Sequence, residues 1–248
     1  MRTANPALND KTFRGLGYAA DASDMMTIQG TVNKTGILLL FLFLTAGWTW
    51  NSFFETGNPA AIAPLTMVGA FGGFIVAMVT VFKKTWAPIT APLYAALEGL
   101  FLGGISAVFE ARFPGIVIQA VALTFGTLFS LLLAYKSGVI KPTENFKLGI
   151  VAATGGIGLI YFVTIILGFF GIQMPFIHDS GILGIGFSLF VVVIAALNLV
   201  LDFDFIENGA EAGIPKYMEW YAAFGLLVTL VWLYIEILRL LSKLNSRD

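Results

Sequence analysis

Carboxylate side chains inside long hydrophobic segments are the residues of this sequence whose types and spacing point to chemistry. Glu98 lies within one apolar run, Asp202 lies near the end of a second, and Glu236 lies within the last. A carboxylate at the centre of a bilayer costs roughly 2.5–3.5 kcal/mol, so such residues usually bind ions, relay protons or pair with a partner. The stretch from Asn198 to Arg239, which holds two of the three, is therefore the predicted functional core.

Helical spacing predicts which polar side chains of this stretch share a face. Asn198 and Asp202 are four residues apart and lie on one face, whereas Asp204 points to the opposite side, toward the headgroups. Thr229 and Glu236 are seven apart and again share a face. The other acids are interpreted as a solvated loop: Asp204, Glu207, Glu211 and Glu219.

Glu98 is the acid closest to the predicted midplane. At a rise of 1.5 Å per residue it lies roughly 15 Å along its helix. Thr90 and Tyr94 precede it at intervals of four, so a polar stripe leads to it from the cytoplasmic end and favours access from water. The alternative is a protonated Glu98 that hydrogen-bonds to a neighbouring helix. Glu236 is either a functional group near the outer interface or the ion-pair partner of Arg239, one turn away.

The elements that must position these residues are transmembrane helices. Hydrophobic residues make up 58% of the chain and charged residues only 12%, which is typical of a membrane protein. Because lipid offers the backbone no hydrogen bonds, continuous apolar runs of about twenty residues cross it as helices. The sequence predicts an all-α integral membrane protein, a seven-helix bundle over residues 35–241 between a polar tail, 1–34, and a short tail, 242–248. The predicted spans are about 35–54, 62–82, 88–109, 115–135, 148–171, 181–203 and 219–241.

Composition also excludes several classes of function. The net charge of −1 argues against nucleic acid as a partner. The chain has no Cys and one His, His178, so it cannot build thiolate or imidazole metal clusters, and only an oxygen-liganded ion is expected, with no cofactor. No metalloprotease helix and no nucleophile elbow occur in the sequence, so an enzyme is not expected.

The distribution of Lys and Arg predicts a cytoplasmic N-terminus, because the tail and alternate loops on its side carry nearly all of them. Seven spans then place the C-terminus outside. Arg239, Lys243 and Arg247 argue against that placement, which leaves a re-entrant last helix open as an alternative.

Small residues predict how the helices pack, because they allow close backbone approach in lipid. They cluster in the second, third, fifth and sixth spans: Gly69, Gly72 and Gly73; Gly99, Gly103 and Gly104; Gly155, Gly156 and Gly158; Gly184 and Ser188.

Several motifs resemble the Bax-inhibitor (transmembrane Bax inhibitor motif) family. They are the end of the sixth span at 201–206, the closing helix at 230–241, the Lys83-Lys84 pair and the third-span segment 93–100. The opening segment 5–8 and the segment 26–35 are similar to a bacterial branch of that family. The resemblance covers nearly the whole chain.

The resemblance implies a seven-helix protein that passes Ca²⁺ as a pH-sensitive leak, gated by two aspartates of the last two helices that share a proton. Asp202 matches the first aspartate. Matching the helix ends at Arg239 places Thr229, which cannot titrate, at the second. The family also has a basic residue in reach of the first aspartate, and Lys83 or Lys84 is the candidate for that position.

Because the second aspartate is missing, the residues suggest a replacement. Glu98, at about the depth of Thr229, would share a Ca²⁺ site with Asp202, and Asn198 and Thr229 would add neutral oxygen ligands. Two carboxylates at one site compete for protons, so protonation would open or close the path. We expect a protein of the bacterial inner membrane, with lipid, Ca²⁺ and H⁺ as its partners.

Two other classes of function remain open. Intramembrane carboxylates are equally typical of proton-coupled transporters of small solutes, whose flux saturates and collapses with the proton gradient. A membrane protein that regulates others without conducting is the third class, and the pure protein would then show no flux.

Overall fold

The structure is a computed structural model that describes residues 24–171 and 181–246. Within them lie seven long helices and no β-strand: α1 Ile28–Thr56, α2 Pro59–Phe82, α3 Ala87–Arg112, α4 Ile116–Lys136, α5 Glu144–Phe169, α6 Ile182–Glu211 and α7 Met218–Asn245. A single 3₁₀ turn, Lys84–Trp86, precedes α3. Each helix is long and apolar enough to cross a membrane, which confirms the predicted all-helical class. His178, Arg247 and the segment 5–8 lie outside the described residues.

Two helices extend farthest beyond their predicted ends. The first begins at Ile28, inside the predicted polar tail, because Thr27 caps it by accepting a hydrogen bond from the Gly30 N–H at 2.9 Å. The sixth continues through Asp204 to Glu211, and the chain leaves it through a left-handed backbone at Gly213, with φ of 62°. The acids after Asp202 therefore lie on a helix and not in a loop.

The described chain divides into two compact units, the first of which contains residues 24–114 and 205–228. Here α3 packs against both α1 and α2. A Cβ at Gly99 would overlap Thr45 Oγ1, and one at Gly69 would lie 2.6 Å from the carbonyl oxygen of Leu97. The glycines of the second and third spans therefore allow close helix contact, as predicted.

The second unit contains residues 115–204 and 229–246. Its core joins α5 and α6 and includes Trp232 at its edge: Ile150, Ile157, Val191, Ile194 and Leu201. The prediction that the glycines of α5 mediate packing is wrong, because a Cβ at Gly155, Gly156 or Gly158 would meet no atom within 4 Å. Isoleucines form the packed face of α5 instead.

Candidate functional site

Asn198 and Asp202 lie one turn apart on α6 and are buried, with exposures of 2% and 0%. The Asn198 side-chain nitrogen donates to Thr154 Oγ1 at 2.9 Å and to the Ile194 carbonyl at 2.8 Å. These two bonds fix the amide, whose oxygen accepts no hydrogen bond from the described residues. A buried amide oxygen thus lies one turn from a buried carboxylate, and both are oxygen ligands of the kind that Ca²⁺ takes.

Asp204 does not face the headgroups, so that prediction is wrong. Its side chain is only 10% exposed and forms an ion pair with Lys147 Nζ at 2.8 Å. Lys147 comes from the first turn of α5 and is itself buried, and Glu144 lies 3.4 Å away at the surface. A carboxylate can leave water when a cation of a neighbouring helix compensates its charge.

Glu219 is also not solvated, contrary to the prediction, with an exposure of 1%. Its carboxylate accepts hydrogen bonds from Thr27 and forms an ion pair with Lys34. Glu207 and Glu211 are exposed, as predicted.

Glu98 lies on α3 with an exposure of 9%, and it hydrogen-bonds to Tyr94 one turn earlier. A Cβ at Gly73 of α2 would lie 3.2 Å from its Oε2, so the carboxylate packs against α2 at a glycine. Thr90 donates to the Trp86 carbonyl at 3.1 Å and is buried. The predicted polar stripe therefore exists, but its three side chains are enclosed by protein. Glu98 belongs to the first unit and Asp202 to the second, and their pairing stays a prediction.

Glu236 forms the ion pair with Arg239 that was one of its two predicted roles. Arg239 Nη1 lies 3.0 Å from Glu236 Oε1 and also donates to the Tyr161 hydroxyl at 2.8 Å. That hydroxyl in turn donates to Glu236 Oε1 at 2.9 Å. The carboxylate is 1% exposed, and Thr229, two turns earlier, is 3% exposed.

The two lysines proposed as basic partners differ in their surroundings. Lys83 is exposed at the end of α2. Lys84 lies partly buried, with its Nζ 5.8 Å from the centre of the Tyr221 ring, the geometry of a cation–π contact. The role of either lysine as the basic partner of Asp202 stays a prediction.

Sequence reasoning did not predict the burial or the polar contacts of several residues, among them Lys34, Lys147, Tyr161 and Lys243. Lys243, 5% exposed, donates to the Gly184 carbonyl at 3.0 Å and to Ser188 Oγ at 2.8 Å. A lysine within two turns of the end of an apolar helix was the available signal for the three lysines, but positive-inside counting assigns such residues to the headgroups.

A family model described as Bax inhibitor 1 like matches residues 5–246 of this chain. The chain belongs to that family. The resemblance inferred from the motifs is thus confirmed, and the protein is a Bax inhibitor 1 like membrane protein whose described residues include seven apolar helices that contact the bilayer. Its assignment to a bacterial branch stays a prediction. Neither a curated protein nor a solved structure matches the chain.

Proposed function

We propose that this Bax inhibitor 1 like protein is an ion-leak channel that passes Ca²⁺ and responds to pH through its intramembrane carboxylates. The observation that carries the proposal is the pair of buried oxygen groups on α6. Asp202 is fully buried, and the amide oxygen of Asn198, one turn away, accepts no hydrogen bond from the described residues.

Burying a polar oxygen without a donor costs about 1–3 kcal/mol, so its retention in a lipid-embedded helix needs a compensating function. A passing cation would supply that compensation. Calcium prefers carboxylate and carbonyl oxygens, and the weak site expected from few charged ligands suits an ion that must also leave. Ca²⁺ is therefore proposed as cargo, and no resident cofactor is expected.

Glu98 is the proposed second carboxylate. Glu98 and Asp202 are both buried, so a proton gained or lost by either acid changes a charge that water screens poorly. This is the proposed origin of pH sensitivity, and Lys83 or Lys84 is the proposed basic partner.

The proposed orientation has the N-terminus in the cytoplasm and the C-terminus outside, in a bacterial inner membrane. Two of the cations that argued against it, Arg239 and Lys243, are bound by protein groups. The first pairs with Glu236, and the second is buried against α6. Cations that are held by protein groups in this way are less available to cytoplasmic headgroups, which supports the outside placement.

Calcium flux from proteoliposomes that contain the pure protein tests the proposal. Asp202→Asn removes the central charge, and Glu98→Gln removes the proposed second charge. Each variant should change the flux and flatten its dependence on pH. Glu207→Gln, which neutralises an exposed acid on the same helix, is the matched control and should behave like the wild type.

The outcomes separate the classes of function. Flux that is the same in wild type, Asp202→Asn and Glu98→Gln would refute the role of these carboxylates. A flux that saturates with a small solute and collapses with the proton gradient would assign the protein to the transporters instead. Absence of any flux in the wild type would leave the non-conducting regulatory class.

A further inference from the structure

The start of the described chain binds the loop between α6 and α7 in the first compact unit. Met26 N–H donates to the Ile214 carbonyl at 2.7 Å, and Lys216 N–H donates to the Asp24 carbonyl at 2.7 Å. Between these two bonds Met25 and Pro215 form an antiparallel bridge. We name this arrangement, residues 24–34 bound to residues 213–220, the N-terminal clasp.

The Glu219 carboxylate is the polar centre of the clasp. Its Oε1 accepts from both the N–H and the hydroxyl of Thr27 at 2.9 Å, and its Oε2 forms an ion pair with Lys34. Lys34 also lies 5.5 Å from the centre of the Trp220 ring. Because Thr27 caps α1 and Glu219 lies in the first turn of α7, the positive ends of two helix dipoles meet one buried negative charge.

Gly30 shows that close approach at this point is required. A Cβ at Gly30 would overlap the Glu219 carboxylate. By contrast, a Cβ at Gly36, on the same helix, would meet no atom within 4 Å. Glycine lowers helix stability, and the contact that Gly30 permits compensates its presence in the first turn of α1.

We infer that the N-terminal clasp holds the first turn of α7 in the closed conformation of the conducting pathway. The inference rests on the proposed function for its flux readout. In the conformation that contains the clasp, the candidate ligands of the last two helices are sealed from solvent, with Asn198, Asp202 and Thr229 at 2%, 0% and 3% exposure. Thr229 lies on the same continuous helix as Glu219, so movement of the first turn is transmitted along α7.

Contacts that exist in only one of two conformations stabilise that conformation, and their loss shifts the equilibrium toward the other. Glu219→Gln removes the charge of the carboxylate and with it the charge-assisted hydrogen bonds of the clasp. The loss of one such bond shifts the equilibrium between two conformations by roughly tenfold or more. Glu219→Gln and Gly30→Ala should therefore each raise basal Ca²⁺ flux from proteoliposomes by about that factor. The controls are Glu207→Gln and Gly36→Ala, which should leave the flux unchanged.

A cross-link tests the clasp without relying on loss of contacts. The chain has no Cys, and facing residues between two flanking hydrogen bonds have Cα atoms about 4.5 Å apart, within the range of a disulfide. Met25→Cys with Pro215→Cys should cross-link on oxidation. In the Glu219→Gln background, oxidation should return the raised flux to the wild-type value and reduction should restore it. Formation of the cross-link with no effect on flux would overturn the inference.

Labelling of Thr229→Cys separates failure of the clasp from failure of the proposed function. Its reaction with a water-soluble maleimide should be about tenfold faster when Glu219→Gln is also present, whether or not the protein conducts. The circular dichroism spectrum of each variant verifies folding. If the wild type shows no flux but Glu219→Gln accelerates the labelling of Thr229→Cys, the role of the clasp is supported and the channel proposal is refuted. If labelling is unchanged in a folded variant, the clasp does not control α7.

Discussion

Removing Lys147 should destabilise the protein strongly, because it leaves the Asp204 carboxylate without its cation. The two charges are 2.8 Å apart, and their side chains are only 6% and 10% exposed. Breaking a buried pair from one side costs about 3–5 kcal/mol. At 2–4 °C per kcal/mol for a chain of this size, Lys147→Met should lower the midpoint of thermal unfolding by roughly 6–20 °C.

A double-mutant cycle distinguishes the pair from its surroundings. Asp204→Leu should also destabilise the protein, and the double variant Lys147→Met with Asp204→Leu should recover much of the loss, because two apolar side chains then meet. Glu144→Gln is the matched control, since Glu144 lies 3.4 Å from the same ammonium but is 74% exposed, and it should change stability by less than about 1 kcal/mol. Unfolding in detergent, followed by circular dichroism, measures all four. Additive effects of the two single substitutions would refute the argument.

Three further predictions concern packing, polar contacts and orientation. Gly99→Ala should lower stability by about 1–3 kcal/mol in thermal unfolding, because the new Cβ would overlap atoms of α1. Gly155→Ala should instead raise stability by about 0.5–1 kcal/mol, because its Cβ would meet no atom within 4 Å. Tyr161→Phe should cost about 1.5–3 kcal/mol in the same assay, since it removes hydrogen bonds to two charged groups, and unchanged unfolding would contradict that role. A membrane-impermeant maleimide should label Ser246→Cys in intact cells but Ser137→Cys only after permeabilisation, and the reverse pattern would contradict an outside C-terminus.

The seven spans were predictable because each is a local property of the sequence. A run of about twenty apolar residues must become a helix in lipid, whatever its neighbours are. Helix ends were less predictable, since they depend on groups beyond the apolar run. The first helix begins at Ile28 because Thr27 caps it, and the sixth reaches Glu211 because the charge of Asp204 on the way is compensated by α5.

The candidate site was predictable in part for the same reason. Asn198 and Asp202 share a helix, so their common face and their depth follow from helical geometry. The partner of an acidic side chain could be predicted only where it lies nearby in the sequence. The Glu236–Arg239 pair lies within one turn, and it was among the predicted alternatives.

Sequence by itself therefore determined the class of protein, its spans, its family and the identity of its intramembrane acids. Only the tertiary structure decided which acids are solvated. Glu219 and Asp204 look like loop residues in the sequence, but Lys34 and Lys147 compensate them from distant helices. A charged side chain is buried only where an opposite charge or hydrogen-bond donors compensate it. For these two acids the compensating lysines come from other helices, so their burial depends on how the helices pack.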